Sequence, residues 1–267
     1  MENKFKSNPY NSFNCEITSS DILNILSTLN IQNYTIQNLS LFQQAFIHTS
    51  YCHMKDYEEY TQPENCLSLY NKSYETIEFL GDSILGSVVS NYLYQRFVVN
   101  HGQDEGFLTK LKIRLVCGEQ LSFLSKQLGF DKFMIISKHI EDNCSGRNNT
   151  HILEDIYEAF IGSLYLDSND YSLVEKFIIQ SIEMNIDIAD IILNDNNYKD
   201  QILRYFQHNY KIYPTYKTEK NGSEDNKYQC KLYKGEEYIT SGYGNSKKKA
   251  EQDASKRALI KHHVLSE

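Results

Sequence analysis

From about residue 20 to about residue 185, apolar residues recur at three- and four-residue steps, whereas in three short runs between 214 and 244 they alternate. The first period belongs to helices and the second to strands, so a single uniform architecture is excluded. Helical patterning covers "DILNILSTL" (21–29), "LSLFQQAFIHTSY" (39–51), "YETIEFLGDSILG" (74–86), "LTKLKIRLVCGEQLSFLSKQL" (108–128), "ILEDIYEAFIGSLYLD" (152–167) and "YSLVEKFIIQSIEMNI" (171–186). After a further helix, "YKDQILRYFQHNY" (198–210), the runs "PTYKTEK" (214–220), "KYQCKLYKG" (227–235) and "EEYITSGYG" (236–244) read as strands. Turns fall at Asn221-Gly222 and Lys234-Gly235. "SKKKAEQDASKRALIKHHV" (246–264) closes the chain as a helix, with Ser246 placed to cap it. The fold class expected is an all-α domain followed by a small α+β domain of order αβββα. The boundaries expected are a flexible tail at 1–19, the helical domain at 20–190, a linker at 191–197 around "NDNN", and the α+β domain at 198–265. Residues 52–73, polar and containing Pro63, and residues 141–149 read as loops; "FMIIS" (133–137) reads as a short strand or a helix end.

Charge is divided along the same line. The whole chain carries a net −8, but residues 197–267 hold 14 basic against 9 acidic side chains, a net +5. The preceding 196 residues hold 13 basic and 26 acidic, a net −13. Two domains with different electrostatic tasks follow: a basic one able to grip a polyanion and an acidic one able to concentrate cations. No apolar run approaches membrane-spanning length, so no membrane partner is expected. Residues 1–20 lack a signal-peptide apolar stretch. The six cysteines form no CxxC pair and no zinc-finger spacing with histidine, as in a reduced, intracellular compartment, cytoplasmic or nuclear.

In "YETIEFLGDSILG", Glu75, Glu78 and Asp82 sit among apolar residues. Their spacings of three, four and seven place them on one helical face, where like charges destabilise each other. A second helix carries Asp155 and Glu158, three apart, with Gly162 and Ser163 small enough to admit a close neighbour. Glu105 opens another helix. If these elements converge, one pocket holds up to six carboxylates and needs cations. Hard oxygen donors without His or Cys suit Mg²⁺, with Mn²⁺ as a substitute. Two such ions can activate water and neutralise a phosphodiester transition state. A solvated helix face has the same spacing, however, and spacing does not place two helices together.

The strings themselves carry further information. "YETIEFLGDSILG" resembles the ribonuclease III family signature usually written NERLEFLGDSVLG. "AFIHTSY" (45–51), "DEGFLTKLKIRLV" (104–116) and "ILEDIYEAFIGSLYLD" are similar to three further blocks of that family, in the same order and with about the same spacing. The resemblance implies a ribonuclease III type helical endonuclease fold. It implies metal-binding and catalytic roles for Glu78, Asp82, Asp155 and Glu158, with Glu158 bound most directly to the metal used in cleavage. The accessory acidic positions fall on Glu75 and Glu105, which the resemblance associates with the substrate and the scissile site. Phe79 matches a residue that inserts into a partner subunit, which implies a homodimer, and a C2 dimer offers one site per strand of a duplex. Tyr74 and Thr76 stand where the family usually has Asn and Arg, which leaves the fine positioning of the site open. The loop 52–73 is longer than in compact bacterial members. Of the remaining residues, His48 reads as a buried hydrogen-bonded histidine, Cys117 as core, His262 and His263 as a helix end, and Asp167 as a helix terminator.

"SGYGNSKKKAEQDASKRAL" lacks Walker spacing, yet a helix N-terminus beside lysines suits phosphate. With the αβββα order, it is similar to the double-stranded RNA-binding domain. Lys247 and Lys248 match lysines that reach phosphates across the major groove, and Lys249 lies at a variable position. Leu203 and Arg204 stand where that domain usually has Gln and Glu, and Gly222-Ser223-Glu224-Asp225 replaces Gly-Pro-x-His, so modest duplex affinity is expected. Together the two resemblances imply a minimal enzyme that hydrolyses both strands of double-stranded RNA, leaving 5′-phosphate and 3′-hydroxyl ends with short 3′ overhangs. A non-catalytic duplex-sequestering protein and a metal-dependent enzyme acting on DNA are the alternatives. All six acidic positions being filled disfavours the first, and the C-terminal domain disfavours the second.

Overall fold

The computed structural model describes residues 8–193, 197–221 and 227–265. The chain divides into two compact units, Met1–Ala189 and Asp190–Glu267. The first unit is helical: α1 (Ser19–Thr28), α2 (Leu39–Gln44), α3 (Glu75–Leu93), α4 (Glu105–Leu115), α5 (Gly118–Gln127), α6 (Lys138–Asn143), α7 (Thr150–Ser168) and α8 (Tyr171–Asn185). A short α9 (Ile188–Leu193) follows. Side-chain caps fix several starts. Thr18 and Asp21 form a reciprocal capping box on α1. Asn149 accepts from the His151 and Ile152 amides at the start of α7, and Asp170 does the same for α8.

The centre of the unit is α7, buried on nearly all sides from Ile152 to Leu164. Phe160 packs against Phe130 and Phe177, with ring centroids 4.8 and 5.2 Å away, and Phe46 meets Phe130 at 5.4 Å. α3 lies along α7 with the two backbones in contact. A Cβ on Gly81 would sit 1.7 Å from the Glu158 carbonyl oxygen, and one on Gly162 would sit 2.3 Å from that of Ile77. The close approach anticipated from Gly162 is therefore met by a second glycine on the facing helix.

Several sequence expectations are corrected. "LSLFQQAFIHTSY" is not one helix: α2 stops at Gln44, because the backbone of 46–48 bonds elsewhere. The Phe46 carbonyl accepts from Ile135 N, His48 N donates to the Ile135 carbonyl, and the Ile47 carbonyl accepts from Tyr74 N. Of "FMIIS", Phe133 ends a 3₁₀ turn and residues 134–137 are extended and bridge to Ile47, the short strand being the better of the two readings. The long run 108–128 breaks between α4 and α5, where Cys117 is extended and partly exposed rather than core. Residues 8–18, expected as tail, are docked: Asn11 is fully buried, and Asn11 and Asn14 both donate to the Ile136 carbonyl. Asp167 does more than end a helix. It is buried and accepts from the Tyr34 hydroxyl and from the amides of Gln37 and Asn38. Among the described residues, no helix is long and apolar enough to cross a membrane.

The second unit holds α10 (Tyr198–Tyr210), an antiparallel sheet of order β1 (Pro214–Lys220), β2 (Tyr228–Lys234), β3 (Glu237–Gly244), and α11 (Lys247–Lys261). Its core joins Ile202 and Phe206 of α10 to Cys230, Leu232 and Ile239 of the sheet and Ala250, Ala254 and Ala258 of α11. Glycine lets β3 rest on α11: a Cβ on Gly242 would meet Ala254 N at 2.0 Å. The Lys234-Gly235 turn is present, with Gly235 at φ +62°. Gly222-Ser223-Glu224-Asp225 and most of the "NDNN" linker lie outside the described residues.

Candidate active site

Crossing at Gly81 and Gly162 brings the acidic face of α3 onto that of α7. Glu78, Asp155 and Glu158 each offer a carboxylate oxygen, and these oxygens all lie within 4.8 Å of one another. Glu158 is only 8 % exposed. Glu75 and Glu78 occupy the first turn of α3, where the helix dipole offsets part of their repulsion. Burial and then the charges of Asp82, Glu154, Glu78 and Asp155 push the Glu158 carboxyl up to about 8. Glu78 is raised by burial, then by Asp155 and Asp82. Asp155 is raised by burial, against the pull of Tyr74 and of His48. Carboxyls held this way cannot all ionise at neutral pH unless positive charge replaces their protons. An all-oxygen set of this kind fits a hard divalent cation.

The six acidic positions singled out in the sequence do not share one environment. Glu78, Asp155 and Glu158 form the group. Asp82 is exposed one turn along α3 and acts on Glu158 as the strongest of its neighbouring charges. Glu75 is exposed, accepts from Ser73 Oγ at 3.3 Å, and acts on Glu78. Glu105 is not part of the group: it opens α4 and accepts from Thr109 Oγ1 at 2.8 Å. Glu154 belongs near the site and escaped the sequence reading. Burial and the Asp155 charge raise its carboxyl, and a Cβ on Gly118 would lie 2.3 Å from its Oε2. Its position four residues before Glu158, on the same face, was the available signal.

His48 is half-buried. Its Nδ1 accepts from Ser50 N at 3.1 Å and lies 2.8 Å from Ser50 Oγ. Burial holds the ring below its ordinary value against the attraction of Asp155 and Glu75. The residue is a part-buried, hydrogen-bonded histidine. Tyr74 stands at the N-cap of α3 and sends its hydroxyl to Asp155 Oδ2 at 2.7 Å.

In the second unit, Ser246 Oγ accepts from Lys249 N at the start of α11, and Lys247, Lys248 and Lys249 are all exposed on that first turn. Leu203 lines a groove with Lys248, Pro214 and Tyr216, and Arg204 is ion-paired with Asp200.

Comparison with known proteins agrees with this division. Residues 38–185, more than half the chain, match the family model described as Ribonuclease-III-like. The chain belongs to the ribonuclease III family. Residues 198–262 match the double-stranded RNA binding motif. A ribonuclease 3 of Borreliella burgdorferi is 32 % identical over 247 residues, covering 92 % of this chain and 93 % of its own. A probable ribonuclease 3 of Acanthamoeba polyphaga mimivirus is 34 % identical over 256 residues, or 93 % of this chain. The chain spans 46 % of that viral protein's length. A nuclease-domain structure of the Campylobacter jejuni enzyme is 27 % identical, covers 61 % of this chain and 97 % of its own, and has a TM-score of 0.49. The ribonuclease III family is divalent-metal dependent, and this chain carries an acidic group, Glu78, Asp155 and Glu158, made of oxygen donors alone.

Proposed function

We propose that this chain cleaves both strands of double-stranded RNA by Mg²⁺-assisted hydrolysis, working as a homodimer. The observation that carries the reading is the three-carboxylate group, with Glu158 buried at its base, on a chain that also bears a double-stranded RNA-binding motif. Glu78, Asp155 and Glu158 would hold the metal, and Asp82 would complete the set from the rim. A bound divalent cation supplies activation of the attacking water and neutralisation of charge on the phosphodiester. Glu75 and Glu105, outside the three-carboxylate group, are assigned to the substrate side. Lys247 and Lys248, with Lys249 beside them, place three positive charges and a helix N-terminus against backbone phosphates, so the duplex is held by shape and charge rather than by base sequence. Phe79, 76 % exposed on α3 and so free to reach another subunit, stands at the position that the family resemblance assigns to the dimer contact. Cleavage leaves 5′-phosphate and 3′-hydroxyl ends with short 3′ overhangs.

The test is incubation of a long, perfectly paired RNA with the purified full chain. With Mg²⁺ it yields short duplexes with 3′ overhangs; with chelator it yields none. Sedimentation of the same preparation gives a dimer. Tight duplex binding without cutting, under Mg²⁺ or Mn²⁺, would overturn the enzyme reading in favour of a sequestering protein. The second unit has its own expectation. Replacing Lys247 and Lys248 together by Ala weakens binding to unrelated duplex sequences equally and lowers the salt slope of log K by about one per lysine. Binding measured across several salt concentrations checks both statements.

A further inference from the structure

We propose that Tyr74 is a positioning residue that ties the two halves of the carboxylate group together by fixing the Asp155 carboxylate on α7 from the start of α3. The inference rests on the metal-site reading above. Tyr74 is only 2 % exposed, and its side chain makes no capping bond to its own helix. Its hydroxyl crosses instead to Asp155, donating to Oδ2 at 2.7 Å across 81 positions of sequence. Everything else about the residue is also held. Its N–H donates to the Ile47 carbonyl at 2.9 Å, and its own carbonyl accepts from the amides of Ile77 at 2.8 Å and Glu78 at 2.9 Å. Its ring lies 5.9 Å from that of His48 at an interplanar angle of 56°. The His48 ring is held in turn by Ser50, whose Oγ accepts from Ser137 N at 3.0 Å.

One residue therefore sets the first turn of the helix that carries Glu78 and the orientation of a carboxylate on the opposing helix. Hydrogen bonds to the outer side of a ligating carboxylate fix its rotamer and tune its affinity, and losing one typically costs about 10- to 100-fold in metal binding. The residue type is suited to this. Tyrosine reaches Asp155 from a fixed backbone position, and a hydroxyl that only donates here leaves the carboxylate its negative charge.

The test is Tyr74→Phe, which keeps the ring and the backbone bonds and removes one O–H. Mn²⁺ is titrated by calorimetry into the RNA-free full chain, for wild type, Tyr74→Phe and Asp155→Asn, with thermal unfolding in chelator recorded for each. The expected result is about tenfold or greater weakening of Mn²⁺ binding in Tyr74→Phe. Cleavage should recover towards the wild-type rate as Mn²⁺ is raised, and the Phe substitution should add nothing in the Asp155→Asn background. A merely structural tyrosine would lower the unfolding temperature and leave Mn²⁺ affinity in place. Wild-type Mn²⁺ affinity in Tyr74→Phe, with affinity lost in Asp155→Asn, overturns the role of Tyr74 alone. Absence of Mn²⁺ binding in the wild-type chain, or full binding in Asp155→Asn, overturns the metal site and the positioning role together.

Discussion

Glu158→Gln stops cleavage and, without divalent cations, makes the protein more stable. Both effects come from one placement. Glu158 is buried in the middle of α7, with its carboxyl pushed from 4.5 to about 8 by burial and by four neighbouring carboxylates. In the metal-binding role proposed for it, Glu158 is worth most when charged, and removing it should lower the cleavage rate by about a thousandfold or more, roughly 4 kcal/mol at the transition state. As part of the metal-free fold it is a burden when charged. Its folded-state value lies above the unfolded one, so its contribution to stability is fully present below about pH 4.5 and is lost as pH rises towards about 8. Gln has the shape of the protonated acid and no charge to lose. In chelator, the unfolding temperatures of wild type and variant should converge near about pH 5 and separate by about pH 8.5, with the variant higher. Mg²⁺ should reverse the order, because a ligand bound only by the folded state adds about 2.7 kcal/mol at a hundred times its dissociation constant. Single-turnover cleavage and thermal unfolding at the two pH values check both halves. A variant that melts below wild type at the higher pH in chelator would mean that Glu158 is not held at a cost.

That balance explains the acidic run from which the site was first visible. Carboxylates at spacings of three and four on α3 and on α7 were legible, because helical periodicity reports which residues share a face. The meeting of those faces was not. Periodicity says that a face is apolar or acidic; it does not say which helix covers it. Gly162 hinted at a close neighbour, yet the contact needed Gly81 as well, far away in sequence. The Tyr74–Asp155 bond spans 81 positions and leaves no local trace. The six acidic residues looked alike in the sequence; burial separates them in space, leaving Asp82 at the rim and Glu105 outside the group. The docked segment 8–18 was hidden for a related reason. Its anchors, Asn11 and Asn14, are polar, and polarity reads as exposure until a partner carbonyl such as that of Ile136 is known. The second unit was more legible, since αβββα order and the glycines and alanines of "SGYGNSKKKAEQDA" encode a local packing of β3 on α11.

Gly81→Ala is the second large effect expected, and it tests the crossing directly. A methyl at this position would lie 1.7 Å from the Glu158 carbonyl oxygen and 3.0 Å from Gly162 N. The obstacle is backbone, so no side-chain rotation relieves it, and α3 and α7 must separate. Overpacking in a core costs about 1–3 kcal/mol where side chains can yield; here the loss should reach about 3 kcal/mol or more, a fall in unfolding temperature of roughly 6–12 °C for a unit of this size. Separation also moves Glu78 away from Asp155 and Glu158. Misplacement of about 1 Å costs about a hundredfold in rate, so cleavage should fall further than the loss of folded protein explains. Gly86→Ala on the same helix is the control. Its Cβ would meet only Lys112 Nζ, at 3.8 Å, and alanine is favoured over glycine in a helix interior by about 1 kcal/mol. That variant should melt at or above the wild-type temperature and cut at the wild-type rate. Equal behaviour of the two variants would show that backbone contact at the crossing does not set the carboxylate group.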